Sequence, residues 1–250
     1  MVTKHLIAVV DGATAKSPRL FSGKRSGRFA RDVLMAALED VQSVQTPWQL
    51  VRELTQALNA AVEAEVGVSC AQLPLADRPT ASAVLFLRER RMLAFVGDCQ
   101  ALVNRQHLIC YENPTDMVVA NVRRMRAYAL MGQGVGDVSA RLITRDSVDP
   151  LLAEGLLFRN RPGLPLSFAA LDGTDIPNTL VQVHAVWAGS EVVLASDGYP
   201  KVLPTLDESE AELARLLALD PNGLEQLRGI GSLLPGQVSF DDRAYIRFKA

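Results

Sequence analysis

The chain opens with an apolar run, His-Leu-Ile-Ala-Val-Val at 5–10, that stops at Asp11-Gly12. A continuous apolar stretch of this length, bounded by a turn dipeptide, predicts a strand buried on both faces and sets Asp11 at the mouth of a sheet. Residues 13–26 are poor in apolar positions. They carry Lys16, Arg19, Lys24 and Arg25, with Arg28 just beyond, around Gly23 and Gly27, and predict a basic loop with Ser26 capping the next element. From Phe29 onward Val33, Leu34, Ala37, Leu38 and Val41 recur at helical spacing. After Thr46-Pro47, a cap followed by proline at the first helical position, Leu50, Val51, Leu54, Leu58 and Val62 do so again.

Residues 67–80 read as a connecting loop, followed by strands at 81–87 and 92–96, a turn at Gly97-Asp98, and short strands near 101–104 and 108–111. A helix is predicted over 116–130. Residues 131–179 mix glycine, proline and scattered apolar positions without a period, and substrate specificity is expected to reside there. Alternation at Val181, Val183, Ala185 and Trp187 predicts a strand, 191–195 another, 207–219 a helix bounded by Pro221, and 243–248 a closing strand. No internal repeat, low-complexity tract or linker interrupts the pattern, so 1–250 is expected to be a single domain.

Composition narrows the classes. With 250 residues, 48% hydrophobic and 22% charged, the chain can bury a sizeable core. Its formal charge of −2 and pI near 6.0 exclude a non-specific nucleic-acid binder, which needs a basic surface. No window approaches the ~18 apolar residues of a membrane span, and the first ten residues lack signal-peptide character, so a cytoplasmic protein without membrane contact is expected. Cys70, Cys99 and Cys110 form no C-x-x-C pair and are expected to be buried free thiols.

Three carboxylates share a context. Asp11 ends a strand in Val-Val-Asp-Gly, Asp197 ends one in Leu-Ala-Ser-Asp-Gly, and Asp241 precedes the last strand in Ser-Phe-Asp-Asp-Arg. Mg²⁺ and Mn²⁺ are held by a few carboxylate oxygens, carbonyls and waters, and a two-metal site needs carboxylates that converge from separate strands. Any single Asp-Gly is an ordinary turn dipeptide. The ordered set is more specific: Asp11-Gly12, Arg-Pro-Thr-Ala-Ser-Ala at 78–83, Phe-Val-Gly-Asp-Cys-Gln-Ala at 95–101, Ala-Ser-Asp-Gly at 195–198 and Asp-Asp-Arg-Ala at 241–244.

This series resembles the motifs of the metal-dependent protein phosphatases of type 2C, the PPM family, in order and spacing over roughly 5–248. The resemblance implies an α+β fold, a four-layer α/β/β/α sandwich in which two central antiparallel β-sheets are flanked by helix pairs. It implies hydrolysis of a phosphomonoester by a metal-bridging water, with phosphoserine or phosphothreonine in proteins as substrate and a cognate kinase as counterpart. It further implies two Mn²⁺ or Mg²⁺ ions and a looser third: Asp11 bridging, Gly12 offering its carbonyl, Asp197 and Asp241 completing the second, and Asp98 on the third. Asp242 stands where the family has asparagine.

The chain departs from the family pattern in several places. The family's preceding strand, with a phosphate-binding arginine and a Glu-Asp pair, has no counterpart in the ten residues before Asp11. Arg19, Lys24, Arg25 and Arg28 are placed to substitute, because guanidinium groups bind phosphate bidentately. Ala13 replaces a histidine, Gln100 an arginine, and Lys201 a further acidic ligand. His5, His107 and His184 lack ligand spacing and are expected to be structural. Gly132-Gln-Gly-Val-Gly136 lacks the Lys-Ser/Thr of a P-loop. Two rival readings remain at this level: a pseudophosphatase acting as a regulatory module, and a phosphatase of small metabolites.

Overall fold

The structure is a computed structural model that describes residues 1–43, 46–227 and 239–250. Its elements, in chain order, are β1 (Leu6–Gly12), the short hairpin β2 (Leu20–Phe21) and β3 (Lys24–Arg25), α1 (Ser26–Glu39), α2 (Pro47–Val66), β4 (Ala81–Leu87), β5 (Met92–Val96), β6 (Gln100–Val103), β7 (His107–Cys110), α3 (Pro114–Gly132), α4 (Asp137–Ser147), α5 (Asp149–Gly155), β8 (Gln182–Ala185), β9 (Glu191–Ala195), α6 (Leu206–Leu219) and β10 (Tyr245–Lys249).

Two four-stranded antiparallel sheets, ordered β1-β4-β5-β8 and β10-β9-β6-β7, face each other. Because strand side chains alternate between faces, each strand of the first sheet feeds two cores. Ile7, Val9, Val84, Phe86, Leu93 and Phe95 point between the sheets, onto Ala101, Ile109, Val192 and Leu194. Leu6, Ala8, Val10, Ala83, Leu85, Leu87, Ala94 and Val96 point the other way, onto Phe29, Leu34 and Leu38 of α1 and Leu50, Leu54, Leu58 and Val62 of α2. Double coverage is why β1, β4 and β5 read as unbroken apolar runs. On the outer face of the second sheet, Leu102, Val193 and Ala195 pack with Tyr199 and Val202 from the segment leading into α6. The architecture is α+β, with face-to-face antiparallel sheets and helices outside.

Local chemistry sets the helix ends. Thr46 accepts a hydrogen bond from Gln49 N at the start of α2, and Gly67 ends that helix at φ +76°. The expected cap at Ser26 is corrected: α1 begins at Ser26 itself, and Arg25 occupies the cap position without a side-chain bond. Docking takes the place of the cap. The backbones of Gly12, Ala13 and Gly27 approach so closely that a Cβ on Gly12 would collide with the Gly27 carbonyl, and one on Gly27 with the Ala13 carbonyl. The second short hairpin starts one residue earlier than its apolar pattern suggests, because Asn104 and Arg105 take left-handed conformations that end β6. Arg243 lies before β10 rather than in it.

The unassigned stretch 131–179 contains α4, α5 and a loop that is sewn to the first sheet. Leu171 pairs with Ala81. The loop is organised by a buried ion pair: Arg159 Nε lies 2.9 Å from Asp172 Oδ2, with side-chain exposures of 4% and 1%. Arg159 also donates to Thr80 Oγ1 and to the Leu75 carbonyl. Asp172 accepts from Asn160 Nδ2, Thr174 N and Thr174 Oγ1, and Arg78 approaches to 3.7 Å. Among the described residues, no helix is long and apolar enough to cross a membrane.

Candidate active site

The polar end of the sandwich follows from strand parity. In β1 the inward series Ile7, Val9 continues to Asp11, and in β4 the series Phe86, Val84 continues to Ser82, the register partner of Asp11. Ser82 Oγ donates to Asp98 Oδ1 at 2.6 Å, just past β5. In the second sheet β9 runs through Val192 and Leu194 to Ser196 and then Asp197, while β10 begins shortly after Asp241-Asp242. Ser196 N donates to the Ala244 carbonyl and Ala244 N to Ser196 Oγ, which aligns the two acidic segments. Gly198 is required there, since a Cβ would strike the Asp242 carbonyl and lie 2.9 Å from Arg243 Cβ. All these residues lie at the same end of the two sheets.

The carboxylates act on one another. Asp11 and Asp197 are within hydrogen-bonding reach. Burial within the strand ends raises Asp11 to about 6; the bond to Asp197 opposes the rise, and the charges of Asp242 and Asp98 add to it. Asp197 remains open to solvent as a residue, yet partial desolvation of its carboxyl, then repulsion from Asp98 and Asp11, pushes it up to about 9. Asp241 rises to about 6 through burial and its bond to Asp242. Among the described residues, no group of three or more His, Cys, Asp or Glu is arranged so as to hold a metal ion by itself. The set is an open one of hard oxygen donors under mutual strain, which fits a hard divalent cation better than a soft one.

Other residues singled out in the sequence fall in several places. Arg19 pairs with Asp77 at 3.4 Å and covers the Phe21 ring. Lys24 pairs with Asp32. Arg28 is exposed beside Gly27, the residue packed onto Gly12 and Ala13. Gln100, in the family's arginine position, is buried and donates to the Tyr199 carbonyl at 2.6 Å. Lys201 acts on Glu212 of α6. His5 pairs with Glu89 at the far end of β1, and His184 bonds Tyr111. Cys70 and Cys99 are buried free thiols, but Cys110 is exposed, a correction that follows from its outward position in β7.

One neighbour escaped the sequence reading. Asp116, in the first turn of α3, is pushed up to about 6 by burial and by Asp98, with Lys16 partly offsetting the rise. An acidic residue in a helical first turn, after the Asn113-Pro114 cap, looks like ordinary helix-end chemistry, so spacing alone could not have drawn it out.

Several solved structures are similar to this chain. The Mycobacterium tuberculosis serine/threonine phosphatase PstP is 21% identical, over 91% of this chain and 83% of that one, with a TM-score of 0.42. The PstP catalytic domain in complex with two manganese ions is 20% identical, over 91% and 79%, at 0.41. The SiaA-PP2C domain of Pseudomonas aeruginosa is 16% identical, over 98% and 75%, at 0.43. These neighbours are PP2C-type phosphatases. No family model matches the chain, and no curated protein matches it significantly. At these identities and scores the chemical reading rests on the chain's own side chains.

The raised carboxylates give the metal-free protein a definite pH dependence. Acids whose folded pKa exceeds the unfolded value contribute stability that is present below the unfolded value near 3.8 and is lost as pH rises through the folded values of about 6 and about 9. Solvent screening of these partly open groups holds the effect to about 1–2 kcal/mol, or about 5 °C in Tm. Thermal melts in EDTA between pH 5 and 9 should therefore show Tm falling, and Mn²⁺ should flatten the slope; equal slopes with and without Mn²⁺ would separate these carboxylates from metal binding.

Proposed function

We propose that this chain is a divalent-metal-dependent phosphomonoester hydrolase of the type 2C kind, acting on phosphoserine and phosphothreonine in proteins. One observation carries the reading: Asp11, Asp98, Asp197 and Asp241 come from separate strand ends to one place, where burial and other carboxylates dominate the titration of Asp11, Asp197 and Asp241. Such a cluster is costly unless cations or protons neutralise it. Asp11, Asp197, Asp241 and the Gly12 carbonyl would hold two Mn²⁺ or Mg²⁺ ions, with Asp98 toward a looser third. Bound there, these ions supply an acidified water and offset charge developing on the phosphoryl oxygens.

The protein's own contribution is alignment and charge. Asp197, pushed up to about 9 by burial and by Asp98 and Asp11, would give up its proton on holding a cation. Arg28 stands beside the docked Gly12–Gly27 contact and makes no ion pair among the described residues, whereas Arg19 is engaged by Asp77. On this reading Arg28, next to that contact, is the side chain offered to the substrate phosphate. Arg28→Ala should raise KM for p-nitrophenyl phosphate about tenfold with kcat little changed, the loss expected for one charge-assisted hydrogen bond. An unchanged KM would return Arg28 to the solvated surface.

The test of the whole reading is phosphate release from p-nitrophenyl phosphate and a phosphothreonine peptide, titrated with MnCl₂ and MgCl₂ and repeated in EDTA. Metal-dependent release from both supports it. Metal binding without turnover would make the chain a regulatory module, and release from small esters alone would exclude the phosphoprotein substrate.

A further inference from the structure

The turn carrying Asp197 and the loop carrying Asp241 are fastened to one acceptor outside the carboxylate cluster. Glu210, in the second turn of α6, receives Arg243 Nε on Oε1 at 2.8 Å and Arg243 Nη2 on Oε2 at 2.7 Å, a bidentate fork. The Tyr199 hydroxyl donates to Oε1 at 2.5 Å, and the Arg243 guanidinium lies 5.9 Å over the Tyr199 ring. Tyr199 is two residues beyond Asp197, and Arg243 two beyond Asp241. From the other side, buried Gln100 holds the Tyr199 carbonyl, and the absent side chain of Gly198 lets the Asp242 carbonyl close against the turn.

As an ion pair alone, Arg243–Glu210 contributes little, because its side chains are 26% and 40% exposed. Its consequence is geometric. Tyr199 is buried and its ring is fixed in the outer core with Val193 and Val202, so Glu210 links a rigid point to the loop bearing Asp241. We propose that Glu210 is a positioning residue that sets the separation of Asp197 and Asp241, and so the cation affinity of the site. The inference rests on the metal-site reading above and adds a determinant outside the ligand set.

The experiment uses the full chain, with Mn²⁺ affinity from calorimetry, the Mn²⁺ concentration for half-maximal hydrolysis, and Tm in EDTA. Glu210→Gln keeps the size but loses the charged fork. It should weaken Mn²⁺ binding about tenfold, the scale on which groups behind metal ligands act, while Tm in EDTA falls by only a few degrees. Tyr199→Phe removes a single hydroxyl and should shift affinity the same way by about threefold, the scale of one hydrogen bond, which covers the case of a poorly folded Glu210→Gln. Arg243→Lys keeps the charge without the fork and should fall between them. A merely structural clamp would lower Tm in EDTA and leave Mn²⁺ affinity unchanged. Wild-type affinity in both Glu210→Gln and Tyr199→Phe, with binding lost in Asp197→Asn, overturns the proposal and leaves the metal site standing. Absence of Mn²⁺ binding by the wild type overturns both, and is recognised from the wild-type titration alone.

Discussion

Asp197→Asn should lower metal-dependent hydrolysis by more than about 10²-fold and raise the Tm of the metal-free protein. Residues behind metal ligands already cost about 10- to 100-fold when altered, and a direct ligand should exceed them. The stability gain has a different origin. Asp197 suffers partial desolvation and repulsion from Asp98 and Asp11 and so must take up a proton to fold at pH 8, a cost that asparagine of the same shape avoids. On the proposed reading, carboxylates brought together for a cation strain the metal-free fold, so a neutral variant should gain stability as it loses function. Melts in EDTA at pH 8 together with hydrolysis at saturating Mn²⁺ check both halves. Undiminished turnover would remove Asp197 from the site.

Asp172→Ala should cost about 3–5 kcal/mol, the loss expected when one partner of a buried pair is removed. Arg159 would be left with its charge buried and its principal partner gone, and Thr174 and Asn160 would lose a shared acceptor. For a chain of this size the Tm should fall by about 10 °C. Because the network anchors the loop to the start of β4, near Ser82, activity should decline with stability rather than before it. Chemical denaturation checks the prediction; a loss below about 1 kcal/mol would mean that Thr80 and the Leu75 carbonyl suffice to hold Arg159.

These two aspartates illustrate what could be read in advance. Asp172-Gly173 is as much an Asp-Gly pair as Asp11-Gly12 or Asp197-Gly198, but it lies in a stretch without periodicity and serves packing. Asp11 and Asp197 stand out because each follows an apolar strand run: parity carries Asp11 to the polar end of the sandwich, and the turn past Ser196 carries Asp197 there. For the same reason the bounds of β4, β5 and β9 match their apolar runs: strands covered by hydrophobic layers admit polar residues only near their ends, as with Ser82 and Glu191. The hairpin of β6 and β7 was displaced by one residue because left-handed Asn104 and Arg105 are not marked by glycine. The Arg159–Asp172 pair and the Glu210 clamp were illegible for a physical reason. Their partners are 13 and 33 positions apart and meet only through tertiary folding, and charged residues at such spacings read as solvated surface. Asp116 was hidden by its ordinary role at a helix start.

The central claim is that the strand-end carboxylates form a divalent-cation site, and calorimetric titration of the full chain with MnCl₂ in two buffers of different ionisation enthalpy tests it most directly. The account predicts saturable binding of two ions, protons released to the buffer as Asp197, pushed up to about 9, gives up its own, and loss of binding in Asp11→Asn. No saturable binding, or binding that Asp11→Asn leaves intact, would contradict it.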